Sequence, residues 1–254
     1  MPNKICLSHI TETGEIKTIT YKELLEKSLS VANFIKSETK EGDTVILCFP
    51  TGFDFLISFF GCMFAGVIAI PCMPPINQES AKRMNLIIKN SHATLALSDR
   101  KVLSAFKKLN FFNLLDNAIT KPFHNLLAPI HRNIKIESDN RWVAIEDIPL
   151  EKNVSPFCSK RFEEPLFLQY TSGSTSMPKG VKISMKNLMA NFDMITHVVK
   201  WKGEEINCQT WMPLYHDMGL IGTVLYPLYR AGHGSIMSPI DFLKKPAKWL
   251  EALT

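Results

Sequence analysis

A stretch of nineteen residues without a charged side chain, Phe55 to Met73, restricts the fold of this 254-residue chain more than any other feature. It is long enough to cross a bilayer as a helix. However, Gly61 and Gly66 interrupt it, Pro71 lies near its end, and after Gly66 its composition changes to β-branched residues. We therefore predict a buried helix of about twelve residues, then a short buried strand, and no stable membrane insertion.

Alternating helix and strand patterns through residues 1–110 predict an α/β fold. Thr20 and Glu23 form a capping-box pattern that marks the start of a helix. Apolar runs at 44–49 and 94–97 predict strands, and helical patterns occur near 79–89 and after Asp99. This alternation implies a parallel β-sheet flanked by helices on both faces. Further strands are predicted over 142–148 and 165–170.

Charge and cysteine content exclude several functional classes. The net charge is only +5, and no dense basic patch extends beyond Lys107 and Lys108, so we expect no nucleic-acid partner. The six cysteines form no CxxC pair and have no zinc-finger spacing to histidine. Because the N-terminus also lacks the apolar stretch of a secretory signal, we expect reduced thiols and a cytoplasmic location.

Residues 170–181 read YTSGSTSMPKGV and follow directly after a predicted strand. Exposed backbone N–H groups and hydroxyls in such a loop bind anions, and a lysine adds a full positive charge. The spacing is not that of a Walker A motif, which would need glycine at 178. A Ser/Gly-rich surface turn is the alternative interpretation. The candidate phosphate-binding residues are Thr171, Ser172, Gly173, Ser174, Thr175 and Lys179.

Residues 211–222 read WMPLYHDMGLIG and predict a strand end, a loop and an apolar helix capped by Asp217. On this pattern alone, a structural role for His216 is more common than a catalytic one. Adjacent residues such as His216 and Asp217 point in different directions, and no third ligand is evident, so we predict no metal site.

Both stretches resemble signatures of the adenylate-forming superfamily, which includes acyl-CoA synthetases, luciferases, nonribosomal-peptide adenylation domains and fatty acyl-AMP ligases. The loop differs from the family pattern at Ser176, where glycine is usual and serine is typical of fatty acyl-AMP ligases. Downstream, Met185 replaces a histidine that is common in the family. Residues 213–222 are similar to the aromatic/His substrate motif in the form that fatty acyl-AMP ligases carry.

The resemblance implies that the chain is the N-terminal portion of a large adenylation domain. Residues of about 1–160 would form a first α/β portion, and residues of about 161–254 the phosphate-loop and acyl-site portion. Because family members are longer, we expect the later half of the domain and the mobile lid to be absent. On this expectation the chain alone binds ATP weakly and does not turn over.

The implied activity is ATP-dependent conversion of a fatty-acid carboxylate to acyl-AMP, with release of pyrophosphate. By resemblance, Lys179 and the loop would hold the β- and γ-phosphates, and His216 would position the carboxylate. Tyr215, Met218 and Ile221 would contact the acyl substrate together with His216. Mg²⁺ would accompany ATP, with most of its ligands outside this sequence. The implied acceptor is acyl carrier protein or CoA.

Three alternatives stay open. The first is an acyl-CoA synthetase, which continues from the adenylate to the thioester. The second is a nonribosomal-peptide adenylation domain, although residues 232–235 offer no carboxylate for an amino-acid substrate. The third is a nucleotide-binding module without catalytic activity.

Overall fold

The structure, a computed structural model, describes residues 1–106, 140–151, 162–171, 178–200 and 205–252. The strands in these ranges are β1 (Ile5–Ile10), β2 (Ile16–Thr20), β3 (Thr44–Cys48), β4 (Ile68–Cys72), β5 (Leu95–Ser98), β6 (Arg141–Ala144), β7 (Pro165–Thr171), β8 (Lys179–Ser184), β9 (Asn207–Thr210) and β10 (His233–Met237). The helices are α1 (Tyr21–Glu38), α2 (Phe53–Ala65), α3 (Gln78–Ser91), α4 (Met185–Val199), α5 (Tyr226–Tyr229), α6 (Pro239–Lys244) and α7 (Ala247–Glu251), with a π-helix over Met218–Leu225 and a 3₁₀ turn over Ile145–Asp147. Residues 100–106 are also helical.

A six-stranded sheet in the order β6-β5-β3-β4-β7-β8 carries the centre of the fold. All of its pairs are parallel except the pair of β7 with the edge strand β8. Side chains of β3 alternate between two cores: Val45 and Leu47 belong to the core that contains α1 and α2, whereas Ile46 and Cys48 pack with α3. The α/β prediction is therefore confirmed, with helices on both faces of the sheet.

The second sheet has the order β2-β1-β10-β9 and joins the two ends of the sequence. β1 pairs in parallel with β10, with Leu7 opposite Gly234, and antiparallel with β2. The β1–β2 hairpin was not predicted from the sequence. Its partner β10 lies more than 200 residues away in the chain, so no local pattern indicates this pairing.

The long apolar stretch divides as predicted into a helix and a strand. α2 ends at Gly66, whose φ of 76° is readily available to glycine. Phe55 and Phe59 of α2 are buried, as are Ala69 and Ile70 of β4. In the described part of the chain, no helix has the length and apolar character needed to span a bilayer.

Helix caps and strand ends mostly follow the sequence pattern. The capping box is present: Glu23 N–H donates to Thr20 Oγ1 at 3.2 Å, and Thr20 N–H donates to Glu23 Oε2 at 2.8 Å. Asp99 Oδ1 accepts from Val102 N–H at 2.6 Å. Two details differ from the prediction. The strand expected over 142–148 ends at Ala144, and Lys179, expected in a loop, is the first residue of β8.

Strand pairs cross the predicted boundary near residue 160, since β4 pairs with β7 and β1 with β10. The division into two portions stays a prediction. Among the described cysteines, all are free thiols; four are buried and Cys208 is half-buried, whereas Cys158 lies outside the described residues. Burial raises the pKa of Cys6 to about 12 and that of Cys72 to about 12, so both remain protonated at neutral pH.

Candidate functional site

The β7–β8 hairpin brings two of the predicted phosphate-binding residues together. Thr171, the last residue of β7, lies opposite Lys179, the first residue of β8, in the antiparallel register. Both are exposed. Residues 172–177, including the other four candidates, lie outside the described residues. The two described candidates therefore form the base from which this loop leaves the sheet.

The second motif is attached to the same strand. The Gln169 side-chain amide donates to the carbonyl oxygen of Tyr215 at 2.6 Å. Leu214, the residue before Tyr215, is buried in the core. This hydrogen bond fixes the position of residues 215–217 relative to the end of β7. Two motifs separated by about forty residues in the chain thus become neighbours.

His216 and Asp217 form a close pair at this point. His216 Nδ1 lies 2.7 Å from Asp217 Oδ1 and 3.3 Å from Met218 N. Met218 N–H has a shorter acceptor in Asp217 Oδ1, at 2.8 Å. Because a carboxylate oxygen can only accept, we assign a proton to Nδ1, donated to Asp217 Oδ1. Both side chains are more than half exposed.

A cavity of about 400 Å³ adjoins both motifs. It lies at the end of β4 and β7, where parallel strands of α/β sheets commonly place their ligand sites. Its walls are residues 71–73 at the end of β4, residues 169–171 of β7, residues 215–217, and Ser80, Arg83, Met84 and Ile87 of α3. The cavity therefore collects Thr171, Tyr215 and His216 from the predicted set.

The contribution of α3 to this cavity was not predicted from the sequence. Arg83 Nη2 donates to the carbonyl oxygen of Tyr170 at 3.3 Å, and the Tyr170 hydroxyl donates to Asn90 Oδ1 at 2.7 Å. Arg83, Ile87 and Asn90 recur at helical spacing, which was the available signal that they share one face of the helix. α3 thus holds Tyr170, the residue immediately before the first candidate phosphate-binding residue, from two sides.

Titratable groups on the cavity wall other than Arg83 and the His216–Asp217 pair are neutral. Burial raises the pKa of the Tyr170 and Tyr215 hydroxyls, so both stay protonated near neutral pH. Burial also raises the pKa of Cys72, more than the nearby positive charge of Arg83 lowers it. Cys72 is therefore a packing residue rather than a nucleophile.

Two residues of the predicted acyl site do not line this cavity. Met218 is 58% exposed, and Ile221 is half-buried against the main core. Both lie on the π-helix, which Asp217 caps as predicted. Gly219 in this helix allows a close approach to the preceding loop: a Cβ there would stand 2.3 Å from the Pro213 carbonyl oxygen.

A second, apolar groove of about 440 Å³ lies between α1, α2, α4 and the segment formed by Leu225 and α5. Its walls include Phe60, Met63, Leu188 and Phe192. None of the predicted site residues lines it. In the described residues no group of three His, Cys, Asp or Glu side chains is placed to hold a metal ion.

Comparison with known proteins gives consistent matches over the whole chain. The family model described as AMP-binding enzyme matches residues 1–254. JamA of Moorena producens, a medium-chain-fatty-acid–[acyl-carrier-protein] ligase, is 29% identical over 94% of this chain and 38% of its own length. FadD23 of Mycobacterium tuberculosis, a long-chain-fatty-acid–AMP ligase, is 28% identical over 94% of this chain and 38% of its own length.

A solved structure shows the same fold. The fatty acyl-adenylate ligase of Legionella pneumophila, in complex with acyl adenylate and pyrophosphate, superposes with a TM-score of 0.81 at 30% identity, over 100% of this chain and 40% of the other. The chain thus spans about two-fifths of the length of these relatives. The resemblance drawn from the two motifs is confirmed.

Proposed function

Because the chain belongs to the family of AMP-binding enzymes, and because its relatives JamA and FadD23 are named fatty-acid ligases, we propose that it carries part of the site at which a fatty-acid carboxylate is activated by ATP. The observation that supports this most directly is the meeting of the two motifs. Thr171 and Lys179 lie opposite each other at the base of the loop, and Tyr215 and His216 are tied to the same strand through Gln169.

The proposed reaction forms a mixed anhydride. A carboxylate oxygen attacks the α-phosphorus of ATP, the bond from that phosphorus to the bridging oxygen breaks, and pyrophosphate leaves with the bond electrons. No proton need be transferred in this step. The enzyme's task is to align two anions and to offset the charge on the leaving group.

The residues divide this task between them. Lys179 and the hydroxyls of Thr171, Ser172, Ser174 and Thr175, with the backbone of Gly173, are proposed to hold the β- and γ-phosphates. A lysine there contributes a positive charge where negative charge accumulates on pyrophosphate.

His216 is proposed to orient the carboxylate by donating a hydrogen bond from Nε2–H, while Nδ1–H donates to Asp217 Oδ1 at 2.7 Å, so that both ring nitrogens act as donors. Tyr215 is proposed to pack against the start of the acyl chain. Met218 and Ile221 remain proposed acyl contacts, although they do not line the cavity in this structure.

Mg²⁺ is proposed as the usual companion of ATP, since it neutralises phosphate charge. The described residues hold no group of three His, Cys, Asp or Glu side chains that could bind it. The acceptor proposed for the acyl group is acyl carrier protein, which the name of JamA contains; CoA is the alternative. Comparing thioester formation with each acceptor separates the two.

Calorimetric titration of the purified chain with ATP tests the phosphate site. Lys179→Ala should weaken ATP binding about tenfold or more, because a charge-assisted contact to phosphate is lost. Lys182→Ala is the matched control, since Lys182 is also exposed on β8 but lies opposite Leu168, away from the loop. Equal affinities of the two variants would contradict the proposed role of Lys179.

Adding a non-hydrolysable acyl-adenylate analogue tests the second half of the site. His216→Ala should weaken binding of this analogue and leave ATP binding nearly unchanged, since His216 is proposed to face the acyl carboxylate. A loss of ATP affinity with no change for the acyl part would refute that assignment.

A further inference from the structure

Arg83 of α3 is a half-buried cation with an incomplete set of partners. Its single hydrogen bond within the described chain runs from Nη2 to the Tyr170 carbonyl oxygen, at 3.3 Å. No carboxylate of the described residues lies within ion-pair distance of it. A guanidinium group has five N–H donors, so most of its donors have no acceptor in the described protein.

Among the other described arginines, two have a carboxylate partner, whereas the exposed Arg230 donates to Thr196 Oγ1 and has no carboxylate partner in the described part of the chain. Arg100 is paired with Asp147 at 2.5 Å, and Arg141 is paired with Glu38, although both arginine side chains are at least 60% exposed. An exposed arginine gains little from such a partner because water already solvates it. A half-buried one loses solvation and needs an anion more. The missing anion of Arg83 is therefore better supplied by a ligand than by the protein.

The surroundings of Arg83 indicate which ligand. Arg83 lines the cavity of about 400 Å³ together with Thr171, the first candidate phosphate-binding residue, and with Tyr215 and His216. In the described part of the wall, Arg83 is the one permanently charged cation. The carboxylate of Asp217 on the same wall is engaged with His216 Nδ1 and Met218 N–H.

We infer that Arg83 binds phosphate oxygens of the bound nucleotide, and of pyrophosphate after the reaction, as a contact from α3 in addition to the loop. The inference rests on the proposed function for the identity of the anion. A planar guanidinium can give two parallel N–H donors to one phosphate group, which the ammonium of Lys179 cannot. The bond of Arg83 to Tyr170 holds this fork one residue before the loop begins.

The test is calorimetric titration of the purified chain with inorganic pyrophosphate, ATP and AMP. Arg83→Met removes the charge and keeps the length of the side chain, whereas Arg83→Lys keeps the charge and loses the fork. Lys82→Met is the matched control, because Lys82 is the adjacent cation on the same helix, is exposed, and is not part of the cavity wall. Thermal unfolding of each variant monitors the fold.

For Arg83→Met we expect binding of pyrophosphate and of ATP to weaken about tenfold or more, with little change for AMP, which lacks the β- and γ-phosphates. Arg83→Lys should recover part of the loss, and Lys82→Met should bind all three ligands like the wild-type chain. This pattern separates contact with phosphate from a role in holding Tyr170, which would affect AMP and ATP alike.

Two results overturn the inference alone: wild-type affinity of Arg83→Met for pyrophosphate, or an equal loss for AMP and ATP together with a lower unfolding temperature. If the wild-type chain binds neither pyrophosphate nor ATP, the proposed function and this inference both fail. The failures are thus distinguishable in a single set of titrations.

Discussion

Substitution of Gly219 tests whether the π-helix packs closely against the loop that precedes it. Its ideal Cβ position lies 2.3 Å from the Pro213 carbonyl oxygen and 3.0 Å from that of Met212. Both are backbone atoms, and the first distance is roughly 1 Å below an ordinary carbon contact of about 3.5 Å. Overpacking of this kind costs about 3 kcal/mol, the upper part of the usual range. Alanine regains about 1 kcal/mol over glycine in a helix, which leaves a net cost of about 2 kcal/mol for Gly219→Ala.

Gly222→Ala is the matched control, because Gly222 lies on the same π-helix and a Cβ there meets nothing within 4 Å. We expect this variant to unfold at the wild-type temperature or slightly above it. Gly219→Ala should unfold about 4–8 °C lower, at roughly 2–4 °C per kcal/mol for a chain of this size. Thermal unfolding followed by circular dichroism measures both. Similar unfolding temperatures for the two variants would refute the close approach at Pro213.

Three further predictions concern caps and titration. Thr20→Ala removes the capping-box acceptor of α1 and should lower the free energy of unfolding by about 1 kcal/mol, whereas Thr18→Ala on the exposed face of β2 should change it less; an equal loss for both would argue against the cap. Burial lowers the pKa of His9 in the folded chain. Below about pH 6.5 the unfolded chain therefore binds more protons than the folded chain does. The free energy of unfolding measured with urea should therefore be highest above that pH and should fall on acidification. The fall should be shallower in His9→Gln. A steeper fall in that variant would contradict the lowered pKa of His9. Asp217→Asn keeps a cap for the π-helix but removes the carboxylate that accepts from Nδ1–H of His216. The fraction of the Nδ1–H tautomer, measured by ¹⁵N NMR at pH 8, should therefore decrease. An unchanged tautomer ratio would refute the role of Asp217.

Local patterns predicted the elements that do not depend on distant partners. The capping box at Thr20, the apolar residues of β3 and the glycine that ends α2 all act within a few residues, and each occurs where the sequence indicated. The same holds for Asp217 at the start of the π-helix. Its π form was not predicted, because an apolar run of eight residues is compatible with either helix type.

Non-local pairing explains which features were not predicted. β1 completes its sheet with β10 from the other end of the chain. Most residues of β8 are exposed or half-buried, and the start of the strand was expected in a loop. Its strand conformation depends on pairing with β7. Arg83 gave no signal of its own, since one arginine on an amphipathic helix is normally a solvated residue. Its relation to the phosphate stretch depends on the strand order that sets α3 beside β7.

The two motifs illustrate both sides of this distinction. Their resemblance to family signatures indicated phosphate and substrate chemistry, whereas their residue types alone left a surface turn and a structural histidine open. Their relation to one another depends on the fold, because the bond from Gln169 to the Tyr215 carbonyl oxygen joins residues more than forty positions apart.

The most direct test of the central claim is a crystal structure of this chain soaked with a non-hydrolysable ATP analogue. We predict density for the triphosphate at the loop base formed by Thr171 and Lys179, with Arg83 within hydrogen-bond distance of a phosphate oxygen. A nucleotide bound elsewhere on the molecule, with no phosphate near Thr171 or Lys179, would contradict the claim that the loop after β7 is a nucleotide site.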